Sequence, residues 1–180
     1  MAHKVGYLTG HQTYGEVIAA KPWQERLLCR IGDLMDRYLR GNGPLFPKDA
    51  PLFQGNCGVV AMCMFLDKPY AEVAPILGRG RSRNWSGSTY VSQYVPCATE
   101  LGFAVEAAAT SKSVPALLAE SVGKAERLFC VIAGHAFIIW DGLIFDQSSP
   151  AGRTLAEDRA KYRTSAYRIT YMMRRPAPAR

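Results

Sequence analysis

Phe53-Gln-Gly-Asn-Cys-Gly-Val-Val-Ala-Met-Cys-Met-Phe-Leu66 is the stretch on which the fold turns. Gln54, Gly55 and Asn56 are turn residues, and Asn56 is a candidate N-cap, so Cys57 falls in a first helical turn whose backbone N–H groups lack partners. From Val59 to Leu66 every residue is apolar. A helix that is hydrophobic all round belongs at the centre of a domain, while its first turn can still face a cleft. The positive end of the helix dipole favours a thiolate there. A free thiol titrates near ~8.5, and a helix N-terminus with a histidinium partner brings it to roughly 3.5–7.5. Such a site requires a histidine.

Working outward, the 180 residues, 48% of them apolar, predict one globular domain over 1–180 with enough chain to bury a core. Pro22 begins an expected amphipathic helix to about Arg40, with Trp23, Leu27, Ile31, Leu34, Met35 and Tyr38 at three- and four-residue steps. A breaker-rich connector over 41–51 leads into the central stretch. Pro69 starts a short helix through Tyr70, Val73 and Ile76, weakened by Pro75. Ser88 or Thr89 caps a third, ending near Leu101 and Gly102. The helical lobe therefore covers about 16–102.

The lobe over about 103–173 changes character. Phe103 to Ala109 reads as a strand, and Ser113 caps a helix to Val122. Arg127 to Ala133 and Ala136 to Trp140 are β-branched or aromatic runs, and Asp141-Gly142 before Leu143 is a two-residue hairpin signal. Tyr167, Ile169, Tyr171 and Met173 alternate as in a strand with one buried face, and a basic tail covers 174–180. Helices followed by antiparallel strands predict an α+β fold.

His135 opens the first hairpin strand and is the histidine in an apolar, core-forming context; His3 and His11 receive no role. If residue 140 pairs with 143, then 137 faces 146 and 135 faces 148, which makes Asp146 the diagonal neighbour of His135 on one sheet face. Asp141 sits at the hairpin tip instead. Cys57 then serves as nucleophile, His135 as proton carrier and Asp146 as the group that orients the ring. The backbone N–H of Cys57 and the side-chain amide of Gln54 are the candidate oxyanion donors.

Read alone, each has a plainer alternative: a buried structural cysteine, a satisfied core histidine, a strand-end carboxylate. Together they favour chemistry. A zinc site from Cys57, Cys63 and His135 lacks the close cysteine pair of structural zinc modules, so no metal or cofactor is expected.

The ordered motifs Gln54-Gly-Asn-Cys57-Gly, Gly134-His135-Ala-Phe-Ile-Ile and Asp146 resemble those of the papain-like cysteine peptidases, including their C39-like and viral leader-protease branches. The resemblance covers roughly 50–150. It implies a papain-like fold, a helical lobe packed on an antiparallel sheet, a Cys57–His135–Asp146 triad and hydrolysis of peptide or isopeptide bonds in a protein or peptide substrate. Acyl transfer or glutamine deamidation would use the same triad. Gly58 replaces the bulky aromatic that follows the nucleophile in papain, as in the C39-like branch. Gln54 stands closer to the cysteine than the oxyanion glutamine usually does. Compact size fits a viral or phage protein.

The net charge of +7 is spread over Gly78-Arg-Gly-Arg-Ser-Arg83, Arg159, Lys161, Arg163 and the tail. A nucleic-acid footprint through Arg79, Arg81 and Arg83 is weighed against a solvated basic surface, and the latter prevails because no aromatic-basic module accompanies the charge. A catalytically silent basic binding protein on the same scaffold is the rival of another class. Met1 to Tyr7 has no apolar signal core, and no apolar run approaches the ~18 residues of a membrane span, so a cytoplasmic location without membrane attachment is expected. The five cysteines, at 29, 57, 63, 97 and 130, are odd in number and scattered, which argues against disulfides.

Overall fold

The structure, a computed structural model, describes residues 45–50, 56–82 and 85–175, all within one compact unit. Gln54, Arg83, Cys29, the helix expected over 22–40 and the end of the basic tail lie outside the described residues.

Helix α1, Cys57–Leu66, is fully apolar after its first residue, and every side chain from Val59 to Leu66 is buried. Asn56 stands at its N-cap position but does not cap it with its side chain. The Asn56 amide is wholly buried and donates to the Tyr70 hydroxyl at 3.1 Å. Asp67 ends the helix in the left-handed region, φ 58°. Helix α2, Tyr70–Leu77, enters through Pro69 and receives its cap from far upstream: both Asp49 carboxylate oxygens accept backbone N–H groups, of Tyr70 and Ala71, at 2.8 Å. A 3₁₀ turn, Val91–Gln93, runs into α3, Tyr94–Glu100. Neither Ser88 nor Thr89 caps it; the Gln93 side chain accepts from the Tyr90 N–H at 2.8 Å instead. Pro96 lies in the first turn of α3, where its missing N–H costs nothing.

Among the described residues, six strands then form one open antiparallel sheet. They are β1 Glu106–Ala109, β2 Leu128–Ile132, β3 His135–Trp140, β4 Leu143–Asp146, β5 Ser149–Arg153 and β6 Tyr171–Arg174, in the order β1-β6-β2-β3-β4-β5. Helix α4, Val114–Ser121, precedes β2 and is capped by Ser113. A short helical turn α5, Leu155–Glu157, continues into a π-helical turn, Asp158–Tyr162, and a 3₁₀ turn, Thr164–Ala166, before β6. The mixed helix and antiparallel sheet is an α+β architecture.

The period of two in β2 to β4 explains how the layers assemble. Phe129, Ala136, Ile138 and Phe145 face α1, and Met173 of β6 joins them. Leu128, Cys130, Ile132, Phe137, Ile139 and Ile144 face the other way, onto Val114, Leu117 and Leu118 of α4 and onto Ile169. Helices thus cover both faces of the sheet. Phe129 anchors the α1 side, edge-to-face with Tyr94 at 4.6 Å and Phe65 at 5.9 Å between ring centres. Aromatic pairs of this kind add about 0.5–1.5 kcal/mol beyond the area they bury. No helix among the described residues is long and apolar enough to cross a membrane.

Candidate active site

The hairpin between β3 and β4 sets the site's geometry. Asp141 and Gly142 have φ of 47° and 72°, the left-handed pair that a two-residue type I′ turn demands. Trp140 pairs with Leu143, Ile139 with Ile144 and Ile138 with Phe145, the register that the dipeptide implies. Continuing this count puts His135 and Asp146 on the sheet face opposite α1. His135 Nε2 lies 3.0 Å from Asp146 Oδ2. The ring stacks on Phe137, two residues along the same face, at 6.0 Å.

Cys57, the first residue of α1, reaches the imidazole at the end of the strand. The His135 ring and the backbone N–H groups of Ala136 and Gly58 lie close enough to the thiol to act on its charge. Nε2 is committed to Asp146, which leaves Nδ1 as the ring nitrogen available to the thiol. Burial raises the thiol's pKa, but the His135 hydrogen bond, the two N–H donors and the imidazolium charge outweigh it, and the thiol titrates below its ordinary value. Burial likewise opposes charge on His135; its bonds to Asp146 and Cys57 prevail and push its pKa up to about 9. The two shifts together favour the thiolate–imidazolium pair at neutral pH.

The close approach of a loop to α1 explains Gly58. A Cβ at position 58 would come within 2.6 Å of the Tyr94 hydroxyl and collide with the Thr89 hydroxyl, and these two hydroxyls are themselves bonded at 2.7 Å. The same loop presses Gly87, φ 95°, onto Asn56. An aromatic after the nucleophile has no room here.

Asp146 is 2% exposed, and its carboxylate is held on three sides. Oδ1 accepts the Ser148 N–H at 2.8 Å, while Oδ2 accepts both His135 and Arg153 Nη1, the latter at 2.8 Å. Burial raises its pKa, but the His135 bond and the Arg153 charge bring it below the usual carboxylate range. Arg153 is absent from the sequence-based reading. Its signal is faint: an arginine in a Ser-Pro-Ala-Gly-Arg segment with an aspartate five residues on.

The other candidates separate from this cluster. Cys63 and Cys130 are buried, and desolvation pushes their thiols far up; that of Cys97 is raised to about 11, chiefly by burial with a contribution from Glu100. Arg79 forms a two-bond pair with Glu100 at 2.7 and 3.0 Å. Arg81 donates to Gln93 at 3.2 Å and stacks over Tyr90 at 4.5 Å. Both arginines are therefore engaged within the chain. Comparison with protein-family models, curated proteins and solved structures finds no match to this chain.

Proposed function

We propose that the chain is a thiol hydrolase of papain-like fold, a cysteine peptidase that cleaves peptide or isopeptide bonds. The observation that carries this reading is the unbroken chain of contacts Cys57–His135–Asp146, with the thiol's pKa lowered and the imidazole's raised. It is supported by the placement of that thiol at the start of a central buried helix, where helix dipole and N–H donors favour the anion. The engagement of Arg79 and Arg81 by neighbouring side chains weakens the nucleic-acid alternative.

In this mechanism Cys57 Sγ bonds to the substrate carbonyl carbon while the carbonyl π electrons move to oxygen. The backbone N–H of Cys57 stabilises that oxyanion, and the Gln54 amide is the sequence's candidate for the second donor. His135 then passes its Nδ1 proton to the departing amine as the carbon–nitrogen bond breaks, leaving a thioester. Neutral His135 takes a proton from water as the hydroxide attacks the thioester, and the thiolate leaves with the imidazolium restored. Asp146 holds Nε2–H throughout, so that Nδ1 alone exchanges protons.

The test is incubation of the chain, and of Cys57→Ala and His135→Ala, with a diverse peptide library read by mass spectrometry. New termini in the wild type alone support peptidase action. Deamidated or crosslinked peptides without cleavage would replace hydrolysis of the chain by the acyl-transfer chemistry of the same triad. Cleavage that persists in Cys57→Ala would overturn the assignment.

A further inference from the structure

We propose that Arg153 is a positioning residue for this site: its guanidinium, clamped by the turn that follows β5, fixes the Asp146 carboxylate, which in turn fixes His135. The inference rests on the thiol-hydrolase reading and adds a residue to it. Arg153 pairs with Ile144 across β4 and β5, in a ladder irregular between Ile144 and Asp146. By the period of two, Arg153, Ile144 and Asp146 share one face, so the guanidinium reaches the carboxylate from beside it.

Three further contacts show that the guanidinium is held and not merely present. Nε donates to Asp158 Oδ1 at 2.9 Å, Nη2 donates to Thr164 Oγ1 at 3.0 Å, and the Tyr162 ring lies 4.4 Å from the guanidinium carbon. Arg153 is 2% exposed, Asp158 0% and Thr164 5%. The turn itself is shaped to supply them. Its π-helical bond from Arg163 N–H to Asp158 O is 2.7 Å long, Arg163 takes φ 59°, and the Ser165 N–H donates to Asp158 Oδ2 at 2.6 Å. π-helical turns are rare and are frequently found at functional sites.

The charges run in alternation through the protein: thiolate, imidazolium, Asp146, Arg153, Asp158. A buried carboxylate facing only an imidazole would be tempted to share its proton; a permanent guanidinium on the same oxygen keeps it anionic and its plane fixed. The titratable and charged groups facing Arg153 are Asp146, Asp158 and Tyr162, with Lys161 5.4 Å from the Tyr162 ring centre. A lysine cannot replace this residue, because a single ammonium does not present the planar fork that meets Asp146, Asp158 and Thr164 at once beneath an aromatic ring.

The experiment measures the pH dependence of Cys57 alkylation by iodoacetamide, followed residue by residue with mass spectrometry, in wild type, Arg153→Lys and Thr164→Val. Arg153→Lys, which keeps the charge, is expected to slow alkylation of Cys57 at neutral pH by about tenfold, the loss of thiolate that a movement of its profile by about one pH unit brings. The limb of its pH profile moves to higher pH, and Thr164→Val shifts it the same way by less. A wild-type profile in folded Arg153→Lys overturns the proposal. If Arg153→Lys does not fold, an unshifted profile in Thr164→Val overturns it. A wild type in which Cys57 alkylates no faster than Cys97 at neutral pH sinks the thiol-hydrolase reading instead, so the two failures are distinguishable.

Discussion

Asp146 Oδ2 stands 3.0 Å from His135 Nε2 across a hairpin whose register is set by two turn residues, Asp141 six positions after the histidine and Gly142 four positions before the aspartate. The same oxygen also receives Arg153, so the orienting bond belongs to a shared acceptor. In Asp146→Asn the shape is kept while the acceptor charge is lost. Activity is expected to fall by roughly 10²–10⁴-fold, the range by which positioned proton transfer accelerates reactions. The His135 pKa should drop from about 9 towards its ordinary 6.5, followed by NMR titration of the ring protons. An unchanged titration would remove Asp146 from the site.

Stability against pH carries a second signature of the pair. The folded His135 binds a proton up to about 9 whereas the unfolded one releases it near 6.5, so its contribution is full below 6.5 and is lost as pH rises through about 9. Cys57 has the opposite sign: its lowered folded pKa contributes stability that is full above the unfolded value of 9.0 and is lost as pH falls through the folded one. Where the two windows overlap, one proton moves from sulfur to imidazole and the contributions oppose. Between the folded Cys57 value and about 9, wild-type stability should therefore be nearly flat, while Cys57→Ala declines as pH rises above 6.5. Urea midpoints at successive pH values measure this; parallel curves for the two proteins would contradict an ion pair.

The β3–β4 hairpin was legible because Asp-Gly chemistry dictates its own turn, and a count of residues then carried His135 to Asp146. Elements without local chemistry were not. β5, Ser149–Arg153, is Ser-Pro-Ala-Gly-Arg, a composition poor in strand formers; its position at the sheet edge tolerates Pro150, and Gly152, φ 84°, lies where a Cβ would strike the Phe145 ring at 2.7 Å. The alternation from Tyr167 to Met173 correctly marks Ile169 and Met173 as buried, yet Tyr167 is 53% exposed and the ladder of β6 starts only at Tyr171. Among Asp158, Arg159, Lys161 and Arg163 the sequence shows a basic run. What it hides is that the aspartate turns inward to Arg153, because an inward side chain and a solvated one look alike in a charged segment. Asn56 is a case of the same kind: its type suits a cap, but burial against Gly87 and Tyr70 turns it away from one.

Among the described thiols, environment separates reactivity more sharply than exposure does. Cys57 is half-buried with N–H and imidazole donors, whereas Cys63, Cys97 and Cys130 are buried where desolvation favours the neutral form. At pH 7 a limiting amount of iodoacetamide is expected to modify Cys57 at least about tenfold faster than any of those three, since the thiolate is the nucleophile. His135→Ala should erase most of that preference. Peptide mapping after short exposures reads both outcomes, and comparable labelling at Cys57 and Cys97 would contradict the site's electrostatics.

Gly58→Ala tests the fit between α1 and the loop that crosses it. By helix propensity alone alanine would stabilise this position by about 1 kcal/mol. The structure reverses the sign, because a methyl group there meets the Tyr94 hydroxyl at 2.6 Å and the Thr89 hydroxyl closer still. Overpacking of this sort costs about 1–3 kcal/mol, so Gly58→Ala should lower the denaturant midpoint. The loop would have to shift by displacing Thr89, and Cys57, one residue before the insertion, would lose part of its alignment with His135. Gly58→Ala combined with Thr89→Gly removes the nearer obstacle and should recover part of the midpoint. A Gly58→Ala protein as stable as the wild type, with unaltered Cys57 alkylation, would mean that the loop does not press on the start of α1.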